Sequence, residues 1–424
     1  MRSLYTLLMY LATPLVLLYL FLRGLRSTDY LRRWPERFAR FDPPQQTGGI
    51  VVHAVSMGEV NAASMLVQEL ARRFPEDSLY LTTLTPTGSA RVRELFGDTV
   101  FHVYAPLDMP GAVRGFLDRV RPRMLIIMET EIWPNLYHEA AARSIPILIA
   151  NARISERSIG GYRRFRRLTG SALRKVTRIG AQSPVDRERL LEIGARDSQI
   201  VVTGNMKFDV HIPPSLIEQG EAIRAAWGTQ RRVLVAGSTH EGDEQALLAA
   251  FTRLLPGFPD TLLVLVPRHP ERFARTAQLA RQAGLAVALR SAGMTCPAGT
   301  QCFVVDSMGE LLRFYAACDI AFVGGSLEAI GGHNVLEPAA LAKPVVIGPH
   351  TANFAEITNQ LLGCGAAMRV ADDAELEAAL RRLLSEPEER DWMGRAGFEL
   401  VRGGQGAVAR TLEIIEEVLT PATG

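Results

Sequence analysis

IVVHAVSMGE, residues 50–59, places a nearly continuous apolar run directly before a signal for the start of a helix. An apolar run of this length predicts a strand that is buried on both faces, as in a parallel sheet. Ser56 and Glu59 have the spacing of a capping box, which predicts that a helix begins at Ser56. The stretch therefore predicts the strand-to-helix step from which α/β folds are built.

The same alternation of short apolar runs and helical segments continues along the chain, which predicts βαβ units and parallel sheets. Asp209–Ser215 interrupts it with two prolines, which disfavour helix and strand alike, so this segment is predicted to link two α/β halves. The predicted strands are Ile50–Val55, Leu79–Leu84, Met124–Met128, Ile145–Ala150, Arg178–Gln182 and Ile200–Thr203, then Val233–Ala236, Leu262–Val266, Phe303–Val305, Ile320–Val323 and Val345–Ile347.

The composition excludes several classes of protein. The net charge is +2, which gives no support to a nucleic-acid partner, and His-Glu-x-x-His and Asp-x-Asp metal motifs are absent. The four cysteines include no Cys-x-x-Cys pair, so a reducing compartment is the simplest interpretation. They are Cys296, Cys302, Cys318 and Cys364.

An uncharged run of nineteen residues, Leu4–Leu22, begins the chain and is just long enough to span a bilayer. A cluster of arginines follows it, and the positive-inside rule then predicts a single-pass anchor with the rest of the protein in the cytoplasm. A cleaved signal peptide and a helix lying in the plane of the membrane are the alternatives. The arginines are Arg23, Arg26, Arg32, Arg33, Arg37 and Arg40.

A second basic segment, residues 153–178, holds nine Lys and Arg against Glu156 alone. Tyr162, Phe165 and Leu168 are interleaved with its arginines, as on a basic helix that lies on a membrane surface. RNA binding and an ordinary solvated face are the alternatives. The predicted anchor favours the interpretation that this segment contacts an anionic membrane.

Three polar residues follow predicted strands of the first half: Glu59, Glu129 and Lys207. Ligands of parallel sheets bind beyond the carboxyl ends of the strands, so we expect these side chains at one edge of the sheet. A carboxylate there can act as a general base if its surroundings hold its pKa near the working pH. The alternatives are helix capping for Glu59, surface exposure for Glu129 and a solvated loop for Lys207.

In the second half, Gly331 and Gly332 precede a predicted helix, and bare amides at Gly332–Asn334 would attract phosphate. Glu337, one turn further along, could accept hydrogen bonds from a ribose diol, and Arg268 follows a neighbouring strand. The Ser-x-x-Glu pattern recurs at Glu310, where a second capping box is the alternative to a binding role.

Together these segments resemble the Kdo transferases of Gram-negative bacteria, over nearly the whole chain and in family order. The matching motifs are HAVSMGE (53–59), TPTG (85–88), METEIWPN (128–135), ANARIS (150–155), TGNMKFD (203–209), STHEGDE (238–244), VPRHPER (266–272), DSMGEL (306–311), VGGSL (323–327), GGHNVLEPA (331–339) and GPH (348–350).

The resemblance implies a GT-B glycosyltransferase fold with two Rossmann-like domains and an N-terminal transmembrane anchor helix. We expect the anchor at 1–25, an acceptor-binding domain at 26–210 and a CMP-sugar-binding domain at 211–424. The implied reaction moves 3-deoxy-D-manno-octulosonic acid (Kdo) from CMP-Kdo to a lipid A precursor in the inner membrane, with inversion. It needs neither cofactor nor metal, since CMP-sugars have a monophosphate leaving group and no diphosphate that requires a metal clamp.

By motif matching, the resemblance makes Glu59 the proton acceptor and makes Glu129 and Lys207 the stabilisers of the transition state. A UDP-sugar enzyme of the same fold and a non-catalytic sensor of sugar nucleotides are the rival interpretations. The implied CMP contacts are Pro267, Arg268, Met308, Gly309, Glu310, Asn334, Val335, Leu336 and Glu337.

Overall fold

The computed structural model describes residues 1–25, 27–297 and 299–420. Arg26, one of the arginines predicted to follow the anchor, lies outside the described residues. In the described part of the chain, the strands form two seven-stranded sheets with only parallel pairing. The chain divides between Asp209 and Val210 into two compact units, and the described residues from Gln405 onward belong to the first.

Unit 1 contains a sheet in the order β3-β2-β1-β4-β5-β6-β7, in which the strand order reverses between β1 and β4. Its strands are β1 (Ile50–His53), β2 (Leu79–Thr83), β3 (Phe101–Tyr104), β4 (Met124–Met128), β5 (Ile147–Ala152), β6 (Arg178–Ala181) and β7 (Ile200–Val202). Its helices are α1 (Arg2–Gly24), α2 (Met57–Arg73), α3 (Pro86–Phe96), α4 (Pro110–Val120), α5 (Pro134–Ala142), α6 (Glu156–Arg164), α7 (Arg166–Leu173) and α8 (Pro184–Glu192).

Unit 2 repeats the plan with the order β10-β11-β9-β8-β12-β13-β14, and its order reverses between β8 and β12. Its strands are β8 (Arg232–Thr239), β9 (Thr261–Pro267), β10 (Val287–Leu289), β11 (Cys302–Val304), β12 (Ile320–Val323), β13 (Val345–Ile347) and β14 (Ala367–Arg369). Its helices are α9 (Pro214–Trp227), α10 (Glu241–Leu254), α11 (Phe273–Gln282), α12 (Leu311–Ala317), α13 (Leu336–Ala340), α14 (Ala355–Gly363), α15 (Asp373–Ser385) and α16 (Pro387–Gly404).

The last helix, α17 (Ala407–Leu419), packs on unit 1, which differs from the predicted second domain of 211–424. Leu412 and Ile415 of α17 are buried in the same core cluster as Ile50 of β1. The Asp209 carboxylate accepts hydrogen bonds from the Gly406 and Val408 amides, the latter at 2.7 Å, at the start of α17. Apolar burial and this cap therefore hold the helix to unit 1.

The strands on either side of the order reversal were all predicted, because they are continuous apolar runs. Three strands at or next to a sheet edge, β3, β10 and β14, were not predicted. Each has only three or four residues and polar or half-buried positions. The positions that matter for ligand binding lie at the reversals, where the sequence signal is strongest.

Two arginines of the cluster that follows α1 form part of the packed structure of unit 1. The Arg37 side chain is only 3% exposed, and its guanidinium donates to the Leu84 carbonyl at 2.8 Å. Arg33 pairs with Glu36 at 2.6 Å, and both arginines lie over the Tyr104 ring. The charges of these two arginines are therefore used within unit 1.

Candidate active site

Glu59 lies in the first turn of α2, directly after β1 and beside the order reversal of the unit 1 sheet. Ser56 is the N-cap, and its Oγ accepts from the Glu59 amide at 3.4 Å. The Glu59 carboxylate accepts from the Val55 amide at 2.8 Å, and Ser56 Oγ lies 3.3 Å from its other oxygen. The capping interpretation is thus half correct, since the carboxylate reaches past the N-cap amide to the residue before it.

Glu59 as a residue is 8% exposed, and its pKa is raised from 4.5 to about 8, chiefly by burial. The negative charges of Glu129 and Glu131 contribute to this rise, and the Val55 and Ser56 hydrogen bonds oppose it. Burial disfavours the ionised form because the charge loses its hydration. The result is a carboxyl group that titrates close to neutral pH, as a general base requires.

Glu129 follows β4, the strand next to β1 at the order reversal, so the structure brings it to the same edge as Glu59. Its φ of 54° is in the left-handed region, which non-glycine residues rarely adopt. The Glu129 amide donates to the Ala150 carbonyl at 2.9 Å and holds the residue in place. Strained backbone of this kind is concentrated at functional sites.

Lys207 lies on a short 3-10 helix, Met206–Phe208, which packs against α2. Asn205 caps this turn by accepting from the Lys207 amide at 3.0 Å, and Asn151 of β5 accepts from the Met206 amide at 3.0 Å. The side chain is half-buried. Lys207 is therefore on an ordered turn and not on the solvated loop of the alternative interpretation.

At the order reversal of unit 2, one buried carboxylate organises the loops after β8 and β12. Asp243 is fully buried and accepts from the amides of His240 at 3.0 Å, Gly325 at 2.7 Å and Leu327 at 3.1 Å. Three backbone donors on one carboxylate hold both loops in a single arrangement. This residue was not predicted as part of the site.

Three histidines gather beside this carboxylate. The His240 and His333 rings are stacked, with their Nε2 atoms 3.0 Å apart, and His269 lies edge-on to His240. Burial lowers the pKa of His333 to about 4, assisted by the charge of Arg268. Because the close pair needs one donor and one acceptor, a neutral pair fits this contact.

Arg268 and Glu337 come together in unit 2, as the sequence predicted. The Arg268 charge lowers the pKa of Glu337, although burial raises it overall, and Asn334 Nδ2 donates to Glu337 at 3.1 Å. A guanidinium and a half-buried carboxyl beside an amide side chain suit a phosphate and a ribose hydroxyl.

The predicted phosphate contact of bare amides at Gly332–Asn334 is wrong for two of the three. The Gly332 and His333 amides donate to the Gly325 and Gly324 carbonyls at 2.7 and 3.2 Å. The helix begins only at Leu336 and has five residues, so the glycines form a turn before it. Both glycines have positive φ, 108° for Gly331 and 73° for Gly332, which explains their presence here.

Glu310 is held by ion pairs, and the alternative of a second capping box is wrong. Its carboxylate contacts Arg290, at 3.1 Å, and Arg313, and it accepts from the Ser307 hydroxyl. The helix starts at Leu311, so Ser307 lies three residues too early to be the N-cap. Gly309 has a φ of 81°, and Met308 is 51% exposed.

The remaining predicted donor contacts lie at the end of β9 and at the start of α13. Pro267 ends β9, next to Arg268, Val335 is the N-cap of α13, and Leu336 is its first residue. The Val335 and Leu336 side chains are fully buried, so contacts from these residues to a ligand would use the backbone.

Two further residues of unit 1 were missed. Glu131 accepts from the Trp133 indole at 3.0 Å and raises the pKa of Glu59. His53, at the end of β1, contacts Thr82 Oγ1 at 2.8 Å and lies edge-on to Trp133. The signal for both was available, because each follows or ends a strand beside the order reversal.

Comparisons with known proteins cover both units. Residues 32–210 match the family described as 3-deoxy-D-manno-octulosonic-acid transferase (kdotransferase), and residues 245–400 match glycosyl transferases group 1. The chain is 40% identical to a 3-deoxy-D-manno-octulosonic acid transferase of Haemophilus influenzae and 37% identical to one of Bordetella pertussis, with 99% of each chain covered in both cases.

Among solved structures, a glycosyltransferase from Rickettsia africae has a similar fold. It is 15% identical, with 89% of this chain and all of that chain covered, at a TM-score of 0.54. With the two parallel sheets, this likeness confirms the predicted fold class, a GT-B fold with two Rossmann-like domains.

Proposed function

The chain belongs to the 3-deoxy-D-manno-octulosonic acid (Kdo) transferase family, and from this premise we propose that it transfers Kdo from CMP-Kdo to lipid IVA, a lipid A precursor. The transfer inverts the configuration at the anomeric carbon and releases CMP. Unit 1 binds the acceptor, and unit 2 binds the donor.

The observation that carries the proposal is the buried Glu59 carboxyl with a pKa of about 8. A sugar hydroxyl is a weak nucleophile, and a positioned base typically contributes about 10²–10⁴-fold. The acceptor hydroxyl gives its proton to a Glu59 carboxylate oxygen, and the acceptor oxygen forms a bond to the anomeric carbon of Kdo. The bond from that carbon to the phosphate oxygen of CMP breaks, and its electron pair leaves with CMP.

The raised pKa favours this role at the pH of a cell. Because the pKa of Glu59 is raised to about 8, both the protonated and the ionised forms are present near neutral pH. The ionised form is a stronger base than an ordinary carboxylate, because transfer of a proton to it restores a neutral, less hydrated group. Glu129 and Glu131 contribute to this strength through their charges.

Glu129 and Lys207 stabilise the transition state, as the family resemblance implies. The positions of both residues support these roles. Glu129 follows β4, which pairs with β1, and Lys207 lies on the 3-10 helix that packs against α2, the helix that carries Glu59. The Ala150 contact fixes the backbone of Glu129, and the Asn205 cap fixes that of Lys207, before substrate binds. Such preorganisation contributes to catalysis because no energy is spent on orientation during the reaction.

On the donor side, Arg268 binds the phosphate of CMP and Glu337 binds the ribose. The proximity of Arg268 to Glu337 and the Asn334 hydrogen bond support this assignment. Charge on the leaving phosphate grows as the sugar bond breaks, and a fixed guanidinium stabilises that growth. The monophosphate needs no metal clamp, so we expect activity in the presence of EDTA.

We also propose that α1 attaches unit 1 to the inner membrane, with both units in the cytoplasm. Among the described residues, α1 is the one helix that is long and apolar enough to span a membrane, with 23 residues. A lipid acceptor requires the enzyme to work at a membrane surface, and attachment keeps unit 1 at that surface.

The test is product analysis by mass spectrometry after the full-length protein is incubated with CMP-Kdo and lipid IVA in EDTA. We expect a Kdo-bearing product and free CMP, with Glu59→Gln as the matched control that forms little product. Tighter binding of UDP-GlcNAc than of CMP would support the UDP-sugar rival. Full turnover by Glu59→Gln would contradict the assigned base.

A further inference from the structure

Helix α1 has two different faces. Six leucines recur at helical spacing along one face, and each is between 52% and 68% exposed. Their intervals of three and four residues place them in one stripe from end to end of the helix. The leucine stripe consists of Leu4, Leu8, Leu11, Leu15, Leu18 and Leu22.

The opposite face of α1 is docked on unit 1. The Tyr5 hydroxyl donates a hydrogen bond to the Asp108 carboxylate at 2.9 Å. The Thr6 hydroxyl donates a hydrogen bond to the Asn135 side-chain oxygen at 3.0 Å. Thr13 contacts the Met109 sulfur at 3.3 Å. Met9 and Val16 pack on an apolar cluster formed by Leu107, Met109 and Ala112, and Leu20 is only 7% exposed.

These contacts determine how α1 lies against a membrane. Tyr5 and Val16 are eleven residues apart, or about 16 Å along a helix, so unit 1 follows about half the length of α1. If α1 crossed the hydrocarbon core, about 30 Å thick, the surface of unit 1 beside it would be drawn into that core. Asp108 also accepts from the Asn135 and Leu136 amides at the start of α5, so the docking point is a structural part of the unit.

A basic groove lies at the amino end of α1. It is lined by Met1 together with arginines of α6, α7 and the connection after them. Phe165, between α6 and α7, is 53% exposed. An arginine groove beside an exposed aromatic side chain suits the boundary between acyl chains and anionic headgroups. The arginines are Arg163, Arg164, Arg166, Arg167 and Arg174.

We propose that α1 lies in the plane of the membrane interface, with its leucine stripe among the acyl chains and the basic groove on the phosphates of anionic lipids. The occupant of this surface is an anionic bilayer, chosen because charge and apolar faces belong to the same unit and meet at Met1. The proposal replaces the single-pass arrangement predicted from the sequence. It does not depend on the identity of the donor sugar.

The first test locates the amino terminus. A protease-cleavable tag is placed before Met1 of the full chain, and right-side-out and inverted inner-membrane vesicles are digested. An in-plane helix leaves the tag on the same side as unit 2, so both are cleaved only in inverted vesicles. Cleavage of the tag in right-side-out vesicles, with unit 2 protected, would establish a spanning helix and overturn the proposal.

The second test measures binding to phosphatidylethanolamine vesicles with and without phosphatidylglycerol. We expect Arg164→Gln, Arg166→Gln and Arg167→Gln together to weaken binding to the anionic vesicles by about 100-fold, because each charge contributes about 5-fold. The matched control is Arg381→Gln, Arg382→Gln and Arg402→Gln in unit 2, which we expect to leave that binding unchanged.

Hydrogen exchange in β1 and α2 verifies that unit 1 of the groove variant is folded, and we expect both this exchange and the affinity for CMP to equal those of the unchanged protein. Unchanged vesicle binding by the groove variant would contradict the assignment of the groove. A loss of CMP affinity, or tighter binding of a short RNA than of anionic vesicles, would overturn the membrane interpretation.

Discussion

The Glu59 carboxyl combines a structural contact with a chemical task, and one substitution separates them. In Glu59→Gln, the amide oxygen still accepts from the Val55 amide, so the start of α2 is preserved. Glutamine cannot take a proton from the acceptor, so we expect kcat to fall about 100-fold or more while CMP affinity is unchanged. Steady-state kinetics and a CMP titration measure both.

The matched control is Ser56→Ala, which removes the N-cap hydroxyl and keeps the base. We expect it to lower the free energy of unfolding by about 1 kcal/mol with a much smaller loss of rate. Equal rate losses in the two variants would indicate that Glu59 acts only through the structure of the helix start.

In the unchanged enzyme, kcat measured across a pH series should rise with pH up to about 8, as Glu59 ionises.

The raised pKa of Glu59 also predicts how stability depends on pH. The folded protein holds the Glu59 proton up to about pH 8, whereas the unfolded chain releases it near 4.5. Between these values the folded state binds more protons, so the free energy of unfolding falls as pH rises, by up to about 5 kcal/mol from this group. Glu59→Gln should lack that fall in urea titrations across this range, and an identical slope in both proteins would contradict the buried ionisation.

At the scale of single elements, one sequence pattern leads to two different local structures. Ser-Met-Gly-Glu occurs twice after a strand, and the same capping interpretation was available for both. Ser56 does cap α2. In the second copy, Gly309 adopts the left-handed region, and the Glu310 carboxylate forms ion pairs with Arg290 and Arg313 instead of capping a helix. The sequence predicted the central strands and the placement of Glu59 and Glu129, because these follow from local periodicity. It could not predict the contacts of Glu310 with Arg290 or of Asp243 with Gly325 and Leu327, which join residues 20 and more than 80 positions apart.

Asp243 allows a prediction for the loop cluster of unit 2. Asp243→Ala leaves three backbone amides without their acceptor in a buried place. Each unsatisfied buried donor costs about 1–3 kcal/mol, so we expect unit 2 to lose about 3 kcal/mol or more and CMP affinity to fall.

The control is Asp372→Ala, which removes an exposed N-cap that also accepts from two amides. Because water can replace that acceptor, we expect a loss of about 1 kcal/mol and unchanged CMP affinity. Equal effects of the two substitutions in urea titrations would show that Asp243 is an ordinary cap.

At the scale of the whole molecule, the chain returns to its first unit after it completes the second. The family resemblance placed residues 211–424 in one domain, and α17 is the part that differs. Its amphipathic pattern predicts a helix with a buried face, but periodicity does not say which core receives that face. The choice depends on Asp209, almost two hundred residues earlier, whose carboxylate caps α17.

Ile415→Ala tests that assignment. Ile415 is fully buried in the core of unit 1, so the cavity should cost about 2–5 kcal/mol. Hydrogen exchange followed by mass spectrometry should show faster exchange in β1 and α2 and unchanged exchange in β8 and α10. Glu413→Ala, at an exposed position of the same helix, is the control and should change neither. Faster exchange confined to unit 2 would contradict the packing, because burial of Ile415 stabilises only the core that contains it.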